Sequence, residues 1–232
     1  MGTRVEFEVL QIETMNERAQ LALHDAAEWF GDWHPLSEQL GSASGLMELS
    51  SVTRRLELPP VSDLSSLRNF LHSYRADMLL KLELPAIESA HGHAMRHEVR
   101  ELVALDQQLV TEPMLSSFSK ASRRVGRCQL RKLRPLRDDR VVQRYLNAVE
   151  SGAALGWHTL VYGLTLALYS LPLRQGLLSY AYQTIRGFIY SAARMLTLSE
   201  RQCRALYDEL CAGLPEAVER LLGLGNHASP KP

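Results

Sequence analysis

The sequence of 232 residues has only three cysteines, which are Cys128, Cys203 and Cys211. No two of them form a Cys-x-x-Cys pair and their number is odd, so a disulfide framework is excluded and a reducing compartment is indicated. The amino terminus alternates charged and apolar residues and has no apolar core of a signal peptide. We therefore expect a cytoplasmic protein.

Catalytic signatures are also absent from the sequence. It contains no P-loop, G-x-S-x-G or G-x-G-x-x-G pattern. Acidic pairs such as Asp138 and Asp139 occur where helices are expected to begin, and no nucleophile stands in a recognisable arrangement with a base. The sequence therefore predicts no catalytic residue, no bound cofactor and no enzyme activity.

The chain has no net charge, with 26 basic and 26 acidic residues, but the two signs are separated along it. Residues 1–113 carry 9 basic and 18 acidic side chains, whereas residues 114–144 carry 10 basic and 2 acidic ones. The separation predicts an acidic face and a basic face that could bind partners of opposite sign. Internal salt bridges between the two zones explain the pattern equally well.

The longest apolar stretch runs from Ser151 to Leu198, and its first 23 positions carry no formal charge. That length would span a bilayer. However, those positions include three glycines and Pro172, and the flanks have no asymmetry of basic residues. A helix that is apolar all round is also typical of the centre of a larger helical protein. We favour this second interpretation, in which a central helix pair divided at Ser170–Pro172 is buried in protein and not in a membrane.

Hydrophobic periodicity predicts an all-α protein, a single-domain bundle of about ten helices around this central pair. Residues 1–14 are expected to form an extended arm, residues 15–224 the helical domain, and residues 225–232 a disordered tail. Proline, serine and aspartate mark the helix boundaries. Helices are expected from Ser62 with a restart at Pro85, over residues 94–110 and 113–134, from Asp138 or Asp139 to Val149, and over residues 199–211 and 215–224.

Three histidines, His91, His93 and His97, form the only metal-like spacing in the sequence. His93 and His97 would be neighbours if one helix contained both of them. Imidazole groups suit zinc, nickel or copper, but a bound metal needs three or four convergent ligands. An exposed loop between two helices explains the three residues as well. We expect no metal site here and keep these histidines as an alternative.

Four arginines, Arg123, Arg127, Arg131 and Arg134, recur at the spacing of one helical face, and Phe118, Ala121, Val125 and Cys128 fall mostly opposite them. A nucleic-acid interface requires such a stripe together with a recognition motif, and interleaved aromatic residues would strengthen it. Neither accompanies the arginines. We therefore favour a face that is solvated or contacts a protein partner, and no nucleic acid.

Four stretches, in order along residues 62–222, carry a resemblance to a known family. They are Ser66-Leu67 and Phe70-Leu71 followed by Glu83-Leu84-Pro85-Ala86; Leu105-Asp106 followed by Ala121-Ser122-Arg123-Arg124-Val125-Gly126-Arg127; His158 with Tyr162-Gly163; and Tyr180-Ala181-Tyr182 followed by Ser191-Ala192-Ala193-Arg194 and Leu198. Together these stretches resemble the urease accessory protein F (UreF) family.

The resemblance implies an all-α, non-enzymatic adaptor that dimerises. Such an adaptor bridges the scaffold protein UreD, also called UreH, and the nickel-carrying GTPase UreG, so that nickel reaches apo-urease. The resemblance places Tyr182 where a tyrosine of the family helps to bind the GTPase. With the neighbouring residues and the basic helix, the candidate partner-binding residues are Tyr180, Tyr182, Arg186, Arg194, Arg123 and Arg127. A divergent helical protein that binds metal or nucleic acid through the residues named above is the alternative.

Overall fold

The structure is a computed structural model that describes residues 58–116 and 119–223. The expected arm, residues 15–57 of the expected helical domain and the expected tail lie outside these residues. Within them every element is helical, and the all-α prediction is confirmed. The elements are α1 (Leu64–Ser73), a π-helical segment (Tyr74–Glu83), α2 (Leu84–Met95), α3 (Val99–Gln108) with a 3₁₀ turn (Leu109–Thr111), α4 (Pro113–Ser116), α5 (Ser119–Lys132), α6 (Arg140–Glu150), α7 (His158–Leu168), α8 (Leu173–Leu196), α9 (Glu200–Cys211) and α10 (Leu214–Leu221).

Local capping explains where several of these helices begin. The side chain of Asp139 accepts a hydrogen bond from the amide of Val142, so Asp139 is the cap of α6. Ser199 caps α9 in a reciprocal arrangement with Gln202. The cap of α1 is Asp63, one residue after the predicted Ser62, because the Asp63 carboxylate accepts from the amide of Ser66.

The central helix α7 is shorter than the apolar stretch that predicts it. All residues from His158 to Ala167 are buried, and α7 packs chiefly against α2 and α5. The preceding residues 151–157 form a turn and loop in which Gly152 and Gly156 have positive φ angles. No helix in the described part of the chain has both the length and the apolar character needed to cross a membrane. The buried centre predicted from the sequence is therefore confirmed, with its start moved to His158.

The second helix of the pair, α8, is buried along one face only. It contacts α9, α10 and α2, and its opposite face carries exposed residues such as Arg186 and Arg194. The turn between the two helices falls at the predicted Ser170–Pro172 position. The pair therefore consists of one wholly buried helix and one helix that separates the core from the surface.

A glycine sets the distance between α7 and α2. A Cβ atom on Gly163 would lie 2.5 Å from the carbonyl oxygen of Ile87 and 2.9 Å from the Cβ of Ala90. The two backbones can approach this closely only because position 163 has no side chain. This contact holds α2, and the segment before it, against the centre of the fold.

Candidate functional site

A buried cluster of polar side chains joins four segments at the centre of the molecule. Oε2 of Glu83 accepts hydrogen bonds from the hydroxyls of Tyr74 at 2.5 Å and Tyr180 at 3.2 Å. Nε2 of His158 lies 2.6 Å from the Tyr180 hydroxyl, and its Nδ1 lies 2.7 Å from Oγ of Ser122. All five residues are buried. The cluster therefore ties the π-helical segment, α5, α7 and α8 together.

The protons of this cluster are coupled to one another. Burial, and secondarily the Glu83 carboxylate, raise the pKa of Tyr74 and of Tyr180 well above the usual value, so both hydroxyls keep their protons. The single hydroxyl proton of Tyr180 can point towards Glu83 or towards His158. When it points towards Glu83, Nε2 of His158 must be the donor to the Tyr180 oxygen. The tautomer of His158 is thus linked to the hydrogen bonds of Glu83.

A cavity of about 10 Å³ lies beside the cluster, and Glu83, Ser122, Trp157 and His158 are among the residues that line it. This volume is at the lower limit for one water molecule. An organic substrate does not fit into this space. The geometry therefore suits a structural hydrogen-bond network, in which His158 is a buried histidine with contacts at both ring nitrogens.

A second buried carboxylate, Asp106, fixes the loop before α7. Its two oxygens accept hydrogen bonds from the amides of Leu155 at 2.5 Å and Gly156 at 2.9 Å, and from the hydroxyl of Tyr145 at 2.5 Å. The indole Nε1 of Trp157 donates to the Asp106 carbonyl oxygen at 3.1 Å. Asp106 is completely buried, and Tyr145, Gly156 and Trp157 among its donors are also buried, so these groups are withdrawn from water together with their acceptor. The carboxylate therefore sets the point at which α7 can begin.

The basic helix α5 contacts the same loop through its small residues. Its buried face consists of Ser122, Gly126 and Leu130. Nε of Arg127 donates to the carbonyl oxygen of Leu155 at 3.0 Å. Close approach to the loop selects the serine and the glycine on this face, whereas Cys128 is exposed.

An exposed strip on α8 is the most distinctive surface of this region. Arg186, Tyr190 and Arg194 follow one another at intervals of four residues and therefore lie along one helical face. Tyr190 is 46% exposed, and the adjoining Met195 is 39% exposed. The guanidinium carbon of Arg186 lies 5.7 Å from the centre of the Tyr190 ring, which is the distance of a cation–π contact. Basic and apolar groups are thus presented together to solvent.

The comparison with protein families agrees with this architecture. The family model for UreF matches residues 61–211, which is more than half of the chain. The chain belongs to the UreF family. Members of this family are urease accessory proteins, and the family is an accessory one and not a catalytic one. A search of curated proteins found no match.

The UreF-like motifs of the sequence coincide with the two buried carboxylate networks. Glu83, Asp106, Ser122, His158 and Tyr180 all stand in the stretches that resemble the family. Glu83, Asp106 and Ser122 were not among the candidate site residues, although each lies in one of those stretches. The motifs therefore include the residues that assemble the core around α7.

The predicted partner-binding residues of this UreF-family protein fall in different environments. Tyr180 is 5% exposed and belongs to the buried cluster, so its hydroxyl does not face solvent. Tyr182 is half-buried against α9 and α10, and burial, with Cys211 and Glu216 nearby, raises the pKa of its hydroxyl. Arg186 and Arg194 are exposed. The role of all these residues in binding a partner stays a prediction.

Arg123 and Arg127 of the basic helix are half-buried rather than fully exposed. Nε of Arg123 donates to the carbonyl oxygen of Ser119 at 3.2 Å, one turn earlier in the same helix. Further along the chain, Arg134 forms an ion pair with Glu150 of α6. Part of the predicted arginine stripe is therefore occupied by contacts within the chain, and its outer edge includes the exposed Arg131.

The three histidines do not form a metal site. His91 and His93 lie on α2, whereas His97 lies in the turn after it, where its φ angle is 58°. The expected helix over residues 94–110 begins only at Val99, because this turn interrupts it. Within the described residues, no group of three or more histidine, cysteine, aspartate or glutamate side chains could hold a metal ion.

One of the three histidines forms part of a surface ion cluster. Nδ1 of His93 lies 2.8 Å from Oε2 of Glu98, and Nε of Arg96 donates to the same oxygen at 2.8 Å. The Arg96 hydrogen bond, helped by His93, lowers the pKa of Glu98 to about 2. His93 is therefore engaged in an ordinary surface contact that secures the turn between α2 and α3.

Proposed function

We propose that this UreF-family protein is a non-enzymatic adaptor in urease maturation. In this role it bridges a UreD/UreH-type scaffold and a UreG-type GTPase in the cytoplasm, so that nickel is delivered to apo-urease as cargo. The observation that carries the proposal is the UreF family match over residues 61–211. The family assignment indicates the process, which is urease maturation. The bridging of the scaffold and the GTPase is the part that we propose.

The surface of α8 supports a role based on protein contacts. Arginine and tyrosine are enriched where protein interfaces concentrate their binding energy, and the strip of Arg186, Tyr190 and Arg194 presents both residue types. Exposed Met195 extends this surface with an apolar side chain. We propose that this strip, together with the nearby Tyr182, contacts either the GTPase or a second copy of the chain in a homodimer.

The basic outer edge of α5 provides a second candidate surface. Arg131 is exposed there, in the segment whose 10 basic residues outnumber its 2 acidic ones. Complementary charge raises the rate at which a partner of opposite sign associates. We propose that this edge, with Arg123 and Arg127 behind it, faces an acidic surface of the scaffold or of apo-urease.

Co-purification from cells that express the tagged full-length chain with the scaffold and the GTPase tests the adaptor role. The pull-down is done with and without GTP and nickel, and both partners are expected to be recovered. Replacing Arg186 and Arg194 by alanine should reduce recovery of at least one partner, or abolish the dimer in light scattering. The matched control is a double alanine variant of Arg201 and Arg204, which are exposed on α9. Failure of soluble, folded bait to recover either partner would refute the adaptor proposal.

A further inference from the structure

The buried residues of the π-helical segment Tyr74–Glu83 lie closer together around the helix axis than they would in an α-helix. These residues are Tyr74, Met78, Leu79 and Glu83. A π-helix has i→i+5 hydrogen bonds and about 4.4 residues per turn, or roughly 82° per residue. The four residues then fall within roughly 80° of one another. At the 100° per residue of an α-helix they would spread over about half of the circumference.

The two ends of the segment are joined by the buried hydrogen bond between Tyr74 and Glu83. These residues are nine positions apart, which corresponds to about two full turns of a π-helix but about two and a half turns of an α-helix. The hydroxyl of Tyr74 can therefore meet the Glu83 carboxylate at 2.5 Å only in the π-helical form. The backbone agrees with this form, because the amide of Leu84 donates to the carbonyl oxygen of Leu79, five residues earlier.

The α-helix is the more favourable form for an isolated segment, since π-helical stretches are rare and usually limited to a single turn. A ten-residue π-helix must therefore be held by contacts outside its own backbone. Glu83 supplies such a contact, because the same oxygen accepts from Tyr74 within the segment and from Tyr180 on α8. The edge of the Tyr74 ring also packs on Phe188 of α8, with ring centres 4.9 Å apart.

We propose that the Tyr74–Glu83 hydrogen bond is a latch that holds this segment in the π-helical form and thereby sets the rotation of α1. Its release lets residues 74–83 return to an α-helix. The difference of roughly 18° per residue over ten residues turns α1 by about half a turn relative to α2. The buried face of α1, which includes Leu67 and Phe70, then leaves the core.

The latch controls a contact on the opposite side of α1. Nε of Arg68 lies 3.2 Å from Oε2 of Glu209 on α9, and Nε2 of His72 lies 2.7 Å from its Oε1. In the adjoining π-helical segment, Nη2 of Arg75 donates to the carbonyl oxygen of Ala212 at 2.8 Å. A half-turn of α1 breaks these contacts and releases the carboxyl-terminal helices from it. The core cluster thus governs how α1 docks on α9, and this inference does not depend on the adaptor role.

Amide hydrogen exchange of the full-length chain tests the latch. Tyr74→Phe removes only the hydroxyl that joins the two ends of the segment. Tyr180→Phe is the matched control, because it removes the other hydroxyl that donates to the same carboxylate. We expect Tyr74→Phe to accelerate exchange of residues 64–83 about tenfold or more, whereas Tyr180→Phe should act mainly on α7 and α8. Equal acceleration of the same peptides in both variants, or no acceleration in Tyr74→Phe, would overturn the proposal.

A measurement on the unaltered protein covers the case in which Tyr74→Phe does not fold. Scalar coupling across hydrogen bonds in NMR identifies the acceptor of the Leu84 amide. The π-helical form predicts coupling to the carbonyl of Leu79. Coupling to the carbonyl of Leu80 would show an α-helix in solution, and the latch would then have nothing to hold.

Discussion

Alanine at Gly163 perturbs the contact between α7 and α2 without adding a polar group. The added methyl would lie 2.5 Å from the carbonyl oxygen of Ile87 and 3.0 Å from the amide nitrogen of His91. Ordinary contacts of a Cβ atom begin near 3.4 Å, so α2 must retreat by about 0.9 Å at Ile87. Because these neighbours are backbone atoms, no side-chain rotation relieves the overlap.

The magnitude follows from two opposing terms. Alanine gains about 1 kcal/mol over glycine in the interior of a helix. Overpacking of a close-packed core costs typically about 1–3 kcal/mol, and a clash with backbone belongs at the upper end or beyond it. We expect Gly163→Ala to lower the free energy of unfolding by about 2 kcal/mol. For a chain of this size that corresponds to a melting temperature lower by about 4–8 °C.

Gly92→Ala is the matched control for this variant, because Gly92 is also inside a helix of the same interface region. Its added methyl would meet Nη1 of Arg96 at 3.2 Å, which is the end of a flexible side chain. We expect this variant to be neutral or more stable by up to about 1 kcal/mol. Both proteins are compared by urea and thermal unfolding. If Gly163→Ala melted at or above the wild-type temperature, the close approach of α7 to α2 would be refuted.

Further predictions concern the second carboxylate, a surface ion pair and the thiols. Asp106→Ala should lower the free energy of unfolding by about 3–5 kcal/mol, because three donors, two of them buried and one half-buried, lose their acceptor; a loss below about 1 kcal/mol in urea unfolding would contradict this. A hydrogen bond from His72 lowers the pKa of Glu209 below its ordinary value of 4.5. The ionised carboxylate therefore stabilises the fold at pH values above 4.5. This contribution is lost as the pH falls through the pKa of Glu209 in the folded protein. Glu209→Gln should therefore cost about 1 kcal/mol or less at neutral pH, and this cost should disappear once acid has protonated Glu209; a pH-independent difference in unfolding would argue against it. Exposed Cys128 should react with maleimide well before Cys211, whose pKa burial raises to about 11, and equal labelling in mass spectrometry would contradict the assigned exposures.

Helix boundaries with a local cause could be predicted from the sequence. Ser199 and Pro172 mark the ends of helices through their own side chains, and the structure places the boundaries there. The π-helical segment could not be predicted in this way. A 3.6-residue period would place Met78 and Leu82 on the same face, yet the structure buries Met78 and Leu79 together and leaves Leu82 half-buried. The cause is the contact of Glu83 with Tyr74 and α8, which no local pattern contains.

The site residues show the same division between local and tertiary causes. Both Tyr180 and Tyr182 are expected at a partner surface from the sequence. However, residues two positions apart in an α-helix point in directions that differ by about 200°. One of them must therefore face the core when the other faces outwards, and the structure buries Tyr180. The arrangement of Glu83, Asp106 and Ser122 around α7 depends on contacts between distant segments. Only the family resemblance marked these three positions in the sequence.

The start of α7 shows how the two networks support one another. Trp157 stands at the cap position of α7 and its side chain gives no capping hydrogen bond. Hydrogen-bond acceptors on other helices instead lie at the positive, amino-terminal end of α7. Asp106 accepts from the two amides just before it, and Oγ of Ser122 lies 3.4 Å from the amide nitrogen of His158. Because α3 and α5 supply these acceptors, the start of α7 at His158 depends on contacts with both helices. The same contacts set His158 against Tyr180, which in turn donates to Glu83, so the capping of the central helix and the position of the latch depend on one connected set of contacts.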